Sequence, residues 1–103
     1  MDFTLDAEQR ALRDAARALA EARAEGEQLL KTTERFLQKN AGLLTQQELL
    51  QTAEAMQALQ FAVTMEDKDL VQNKIEALNE ISRPYAERVM DEAIASAMKG
   101  KSI

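Results

Sequence analysis

The chain has 103 residues, a length that suits one domain with a single core. It contains neither cysteine nor histidine, so it lacks the thiol nucleophile, the commonest acid–base side chain and the commonest zinc ligands. Its formal net charge is −5, with acidic and basic residues interspersed, which argues against binding to a nucleic-acid backbone. We therefore expect no catalytic residue, no metal site and no nucleic-acid partner.

The composition favours helices over strands. Alanine and leucine number 18 and 13, whereas valine and isoleucine, which strands prefer, together number seven. No apolar run approaches the ~20 residues that a membrane-spanning helix needs. The N-terminal residues also lack the pattern of a signal peptide. We expect an all-α protein in the cytoplasm with no membrane partner.

The first predicted helix covers residues 6–39. Asp6 can cap its start, with Gln9 three residues later as in a capping box. A helix of this length extends on the order of 50 Å, which is longer than a compact domain of this size. Its first half carries a thin apolar stripe at seven-residue spacing (Leu5, Leu12, Leu19), and its second half carries a heavier one (Leu29, Leu30, Phe36, Leu37).

Two signals mark the next boundary. Gly42 suits the positive φ that is common just after a helix C-terminus. Thr45 and Glu48 then form a T-x-x-E capping box, flanked by Leu44 and Leu49 at the positions of a hydrophobic staple. The second helix is predicted to run to about residue 64, with one face formed by Leu49, Ala53, Met56, Leu59 and Val63.

The third helix is predicted to start at Asp67, its best cap, and to present apolar residues at helical spacing (Leu70, Val71, Ile75, Leu78, Ile81). Pro84 lacks an N–H group and crowds the carbonyl of Glu80, so we expect the helix to kink or break there. Ser82 could cap a restarted helix. The apolar pattern resumes from Tyr85 to Ala97, and Lys99 and Gly100 form a typical helix end.

These segments predict an antiparallel three-helix bundle with a long protruding N-terminal helix and a last helix that is kinked or broken at Pro84. We expect one domain over residues 1–103, divided into a helical arm (1–25), a bundle (26–100) and a tail (101–103). Three short helices cannot cover so long a first helix. The stripe of Leu5, Leu12 and Leu19 is therefore expected to dock on another domain or subunit. The alternative is that the arm folds back on the bundle.

The carboxylates allow one further interpretation. Helical carboxylate arrays can hold two metal ions, but such sites use Glu-x-x-His pairs, and this chain has no histidine. The glutamates are better interpreted as solvated helix faces. Bound iron or manganese would be needed to support the metalloenzyme hypothesis.

Residues 23–35 (RAEGEQLLKTTER) resemble the lid-helix segment of DnaK-type heat-shock chaperones, which shows an Arg, a Gly followed by an acidic residue, a Leu-Leu pair and then Ser/Thr-Thr. Residues 66–68 (EDK) resemble the family's short turn before its next lid helix, and residues 74–78 (KIEAL) continue the match. Residues 85–91 (YAERVMD) and 97–100 (AMKG) are similar to the end of the HscA branch, which serves iron–sulfur cluster assembly.

This resemblance implies a function and partners. The chain would be the C-terminal helical lid of such a chaperone, closing over a peptide-binding β-sandwich and slowing client release. Glu27 would occupy the place of the acidic latch residue, with Lys31 one turn later on the same face and Arg23 beside them as an interdomain contact. ATP would bind in a domain outside this chain, which itself would hold no cofactor.

For the HscA branch, the resemblance implies the scaffold protein IscU as client and the J-protein HscB as co-chaperone. Without the sandwich, the exposed arm is expected to make the chain self-associate. The rival hypothesis is a stand-alone helical adaptor or a subunit of a coiled-coil dimer.

Overall fold

The computed structural model describes the backbone of residues 2–101 and the side chains of residues 7–99. Over residues 2–101 the chain forms three α-helices, α1 (Asp2–Asn40), α2 (Gln46–Ala62) and α3 (Lys68–Lys101). A short 3₁₀ helix, Ala41–Leu43, connects the first two. No strand occurs in the part of the chain that the structure describes, and the predicted all-α class is confirmed.

The helices form an up-down-up bundle in which α2 runs antiparallel to both neighbours. Gly26 of α1 lies beside Val63, just after α2, and Val71, near the start of α3. At the other end of the bundle, Arg88 of α3 contacts Glu48, near the start of α2. Because α1 and α3 run in the same direction, their unpacked ends leave the bundle at opposite ends. The molecule is therefore 78 Å long and only 28 by 17 Å across.

α1 begins earlier than predicted. Its first helical residue is Asp2, so the prediction that Asp6 caps this helix is wrong. Neither glycine nor proline occurs in residues 2–6 (DFTLD), so nothing there interrupts the helical backbone. The side chain of Asp6, like that of Leu5, lies outside the described residues.

The end of α1 also differs from its prediction. No glycine among the described residues has a positive φ, so the left-handed cap expected at Gly42 is wrong. Instead, the side-chain amide of Asn40 donates a hydrogen bond to the Phe36 carbonyl (3.0 Å), and the 3₁₀ helix continues the chain. The orphan carbonyls at a helix end can be satisfied in this way without a glycine turn.

The caps of α2 and α3 are confirmed. Thr45 Oγ1 accepts from the Glu48 backbone N–H (3.1 Å), and a Glu48 carboxylate oxygen accepts from the Thr45 N–H (2.9 Å). This reciprocal pair is the predicted capping box. Asp67 likewise accepts from the Leu70 N–H (3.2 Å) at the start of α3.

The core lies where all three helices meet. Its buried apolar members come from every helix: Ala22, Leu59, Ala62, Val71, Ile75 and Leu78. The predicted face of α2 is partly wrong, because Ala53 is exposed and Thr52 is fully buried. Thr52 can be buried because its hydroxyl donates to the Glu48 carbonyl one turn earlier (2.7 Å), which leaves its methyl group for packing.

The sequence predicted that the last helix is kinked or broken at Pro84, and the structure shows no break. α3 is one continuous helix through Pro84. Ser82 does not cap a new helix, because its hydroxyl donates to the Asn79 carbonyl within the same helix (3.4 Å). Tyr85, directly after the proline, is buried, and Ile81 before it is half-buried. Packing on both sides of Pro84 thus holds α3 against the bundle although one backbone hydrogen bond is missing.

At Gly26, α1 lies close to the end of α2 and the start of α3. A Cβ atom placed there would lie 2.9 Å from Val63 Cγ1 and 3.3 Å from Leu59 Cδ1, both shorter than ordinary van der Waals contact. A side chain at residue 26 would therefore require the Val63 and Leu59 side chains, or α1 itself, to move. Gly42 is the opposite case, since nothing lies within 4 Å of its added Cβ.

We predict that Gly26→Val lowers the free energy of unfolding by roughly 1–3 kcal/mol, because a branched side chain overpacks this contact. Urea unfolding followed by circular dichroism measures the change. Gly42→Ala is the matched control, expected to be neutral or to stabilise by up to about 1 kcal/mol, because the unfolded chain loses freedom. Equal effects at the two glycines would contradict the close approach.

Candidate interdomain surface

The N-terminal part of α1 projects from the bundle without a covering helix. Residues 7–17 are all exposed, and Leu12 keeps 72% of its surface in solvent. Burial begins gradually, with Leu19 half-buried and Ala22 buried. The described arm therefore does not fold back on the bundle. Leu5, the third member of the predicted stripe, lies outside the residues whose side chains are described.

The exposed stripe continues a face that the bundle covers further along α1. Leu12, Leu19 and Gly26 follow one another at seven-residue intervals, and such residues drift by only ~20° per interval around a helix. Gly26 faces α2 and α3, whereas Leu12 on nearly the same face is largely exposed to solvent. The stripe is thus an apolar core face that extends beyond its own bundle.

Two exposed apolar side chains lie near the end of α2, at the connection that Arg23 of α1 contacts through the Met65 carbonyl. Phe61 and Met65, at the connection between α2 and α3, are 64% and 41% exposed. We call Leu12, Leu19 and Met65 the arm surface. The sequence gives a signal for Phe61, since it falls off the apolar face of α2, but it does not show that the connection lies beside α1.

Arg23 links the arm to this connection. Its guanidinium Nη2 donates a hydrogen bond to the Met65 carbonyl (3.2 Å), just after the end of α2. Its Nε is buried and has no hydrogen-bond partner. A cation near the last carbonyls of a helix also favours their negative dipole end. The predicted interdomain residue therefore already has a contact within this chain, while one donor is unused.

Glu27 and Lys31 continue from Arg23 at four-residue spacing along α1. Both are exposed, and neither forms an ion pair or side-chain hydrogen bond within residues 7–99. Their i, i+4 spacing would allow a pair, but the structure does not close one. The two side chains are thus accessible to groups outside this chain.

A second polar cluster lies at the opposite end of the bundle and was not predicted from sequence. Arg88 forms a two-pronged ion pair with Glu48 (Nη1–Oε1 2.7 Å, Nη2–Oε2 2.9 Å). The same guanidinium donates to the Leu43 carbonyl (2.8 Å) and lies 5.8 Å from the ring centre of buried Tyr85. One arginine thereby ties α3 to the 3₁₀ helix and to the start of α2.

The hydrogen bonds from Arg88 and from the Thr45 N–H lower the pKa of Glu48 from its ordinary value of 4.5 to about 2. A carboxylate with a lower pKa in the folded state stabilises that state once it is ionised in both states. This contribution is complete above about pH 4.5 and is lost as the pH falls through 2. The cluster is therefore an acid-sensitive part of the fold.

We predict that Glu48→Gln lowers the melting temperature at neutral pH and flattens its acid dependence between about pH 5 and pH 2. The glutamine that replaces Glu48 carries no negative charge at any pH, so the ion pair with Arg88 cannot form. Thermal unfolding followed by circular dichroism measures both effects. Glu54→Gln, at an exposed glutamate of α2 with no ion pair in the described chain, is the control and should preserve the wild-type acid dependence.

Metal-binding clusters and membrane-spanning helices are both absent from the described residues. In the described part of the chain, no three acidic, histidine or cysteine side chains gather in a way that could hold a metal ion. None of the helices, as far as they are described, is long and apolar enough to cross a membrane.

Comparison with known proteins gives one consistent family. The Hsp70 protein family matches residues 2–91 of this chain. The chain is 38% identical over 88 residues to the chaperone protein HscA homolog of Methylococcus capsulatus and 37% identical over 87 residues to that of Shewanella woodyi. It is 33% identical over 88 residues to the chaperone protein HscA of Photorhabdus laumondii.

These matches cover most of this chain and little of each relative. They span 84–85% of the chain but only 14% of the length of each of the three relatives. No solved structure shows significant similarity to the chain.

Proposed function

The chain belongs to the Hsp70 protein family, and we propose that it is the helical lid of a DnaK- or HscA-type chaperone. The observation that carries this proposal is the uncovered arm surface. Leu12 is 72% exposed on a helix face that forms core contacts at Gly26. A β-sandwich that holds a client peptide is the partner we assign to this surface.

In this proposal the arm docks on the sandwich and the bundle lies over the bound client. The lid is closed in the ADP state and moves away when ATP binds in the nucleotide domain, which lies outside this segment. The chain itself then performs no catalysis and holds no cofactor. Its effect is on the dissociation rate of the client, because a closed lid must open before the peptide leaves.

Polar contacts would orient the docked arm. Glu27 and Lys31 are exposed and unpaired within residues 7–99, so they are available to loops of the sandwich. We assign Glu27 the role of the acidic latch residue. Lys31, one turn later on the same face of α1, would be a second contact beside it. Arg23 lies one turn before Glu27, and its hydrogen bond to the Met65 carbonyl would hold this part of α1 in position for docking.

The relatives favour the HscA branch, in which we propose a role in iron–sulfur cluster assembly in the cytoplasm. IscU would be the client and HscB the J-protein that delivers it. Two residues that carry the resemblance, Tyr85 and Arg88, form contacts within the bundle. Tyr85 is buried and Arg88 joins α3 to Glu48, so the C-terminal pattern stabilises the bundle.

A chimera tests the lid function. This chain replaces the matching segment of the Methylococcus capsulatus HscA homolog, and release of a fluorescent client peptide is timed in the presence of ADP. We expect release at least about tenfold slower than from the same protein without a lid segment, since the effect is on koff. Leu12→Asp with Leu19→Asp should restore fast release, because charges would enter the docking contact.

Leu50→Asp is the matched control for these substitutions. Leu50 is a leucine of α2 that is 61% exposed and lies away from the arm surface, so its replacement should leave release slow. Fast release from the unmutated chimera, with the helices intact by circular dichroism, would contradict the lid function. That result would favour the stand-alone adaptor or coiled-coil dimer instead.

A further inference from the structure

The helix α2 carries few charges on its surface. Only Glu48 and Glu54 are charged among its 17 residues, whereas 30% of the whole chain is charged. Leu50 and Phe61 nevertheless keep 61% and 64% of their surfaces in solvent. Exposed aromatic and apolar side chains with few charges around them are typical of the centre of a protein–protein interface.

The exposed side chains of this helix share one face. At 3.6 residues per turn, Leu50, Gln57 and Phe61 lie within about 40° of one another around α2, and Glu54 lies beside them. All four are exposed. We call Leu50, Glu54, Gln57 and Phe61 the α2 face, and we propose that a second copy of this chain packs on it with the two α2 helices antiparallel.

The α2 face is complementary to itself in this orientation. A two-fold axis between residues 55 and 56 places Leu50 of each copy opposite Phe61 of the other, so both apolar contacts form together. The same axis places Glu54 opposite Gln57, whose side-chain amide can donate a hydrogen bond to the carboxylate. The charged group at the centre of the face therefore finds a donor in the second copy.

The shape of the surface favours the same register. A shallow, mainly apolar hollow lies next to Leu50 and is lined by Gln46, Gln47, Leu49, Leu50 and Ala53. Phe61 of the second copy lies opposite Leu50, so its ring can enter this hollow. Insertion of a large side chain of one helix between side chains of the other is the packing mode of paired helices.

A parallel pair would lose these contacts. It would place Glu54 beside Glu54 and Phe61 beside Phe61, away from the hollow, and the like charges would repel. One helix pair is smaller than the standard interface of a stable complex, so we expect a weak and reversible dimer. The α2 face shares no residue with the arm surface, so the proposal does not depend on the lid function.

Disulfide trapping tests the register, because the chain contains no cysteine of its own. Leu50→Cys mixed with Phe61→Cys should link at least about tenfold faster than either variant alone, since proximity raises the effective concentration of the second thiol. The two copies of residue 50 would lie about 16 Å apart along the pair, at a rise of ~1.5 Å per residue. Faster linking of either variant alone than of the mixture would overturn the antiparallel register.

Asn73→Cys is the control for random collision, because Asn73 is exposed on α3. Linking of the mixture no faster than that of Asn73→Cys would overturn the proposal. Leu12→Asp with Leu19→Asp, introduced into both cysteine variants, should leave the rate for the mixture unchanged. Loss of linking there would show association through the arm and would likewise overturn the proposal.

Sedimentation equilibrium measures the dimer without a cross-link. Phe61→Asp should raise the dimer dissociation constant at least about tenfold, because a charge without a partner would enter the contact. Met90→Asp is the matched control, since Met90 is 66% exposed on α3, and it should leave the constant unchanged. A wild-type chain that stays monomeric up to about 1 mM, or equal effects of the two substitutions with the helices intact by circular dichroism, would overturn the proposal.

Discussion

The contact at Gly26 fixes the geometry on which the other features depend. α1 lies close to the end of α2 and the start of α3 at a residue without a side chain, where an added Cβ would be 2.9 Å from Val63 Cγ1. This approach sets the direction in which the arm leaves the bundle. It also brings Arg23, one turn earlier, within reach of the Met65 carbonyl. The contact at Gly26 thus contributes to the position of the arm surface relative to the bundle.

Local sequence rules predicted the helices well where a side chain meets its own backbone. The capping box of Thr45 and Glu48 and the cap at Asp67 could be found because their spacing alone defines the hydrogen bonds. The same rules were wrong at Gly42, where the Asn40 side chain takes the place of a glycine turn. Local rules also did not decide whether α3 kinks or breaks at Pro84, because packing of Tyr85 keeps the helix continuous.

Contacts between helices were harder to predict. The double function of Glu48, which caps α2 and also binds Arg88, depends on residues 40 positions apart, and no periodicity indicates such a pair. The candidate surface was predictable as far as the stripe of Leu12 and Leu19, because its spacing is visible in the sequence. Its extension to Met65 was not, since that requires knowing which end of α2 lies beside the arm.

The unbroken course of α1 has a mechanical consequence. The arm and one wall of the bundle belong to a single helix of 39 residues, and Gly26, the one glycine within it, is held by side chains of α2 and α3. Bending at that glycine would open the core, so the helix acts as a stiff lever. A small rotation where the arm is attached would then be amplified along the molecule into a large displacement at its far end.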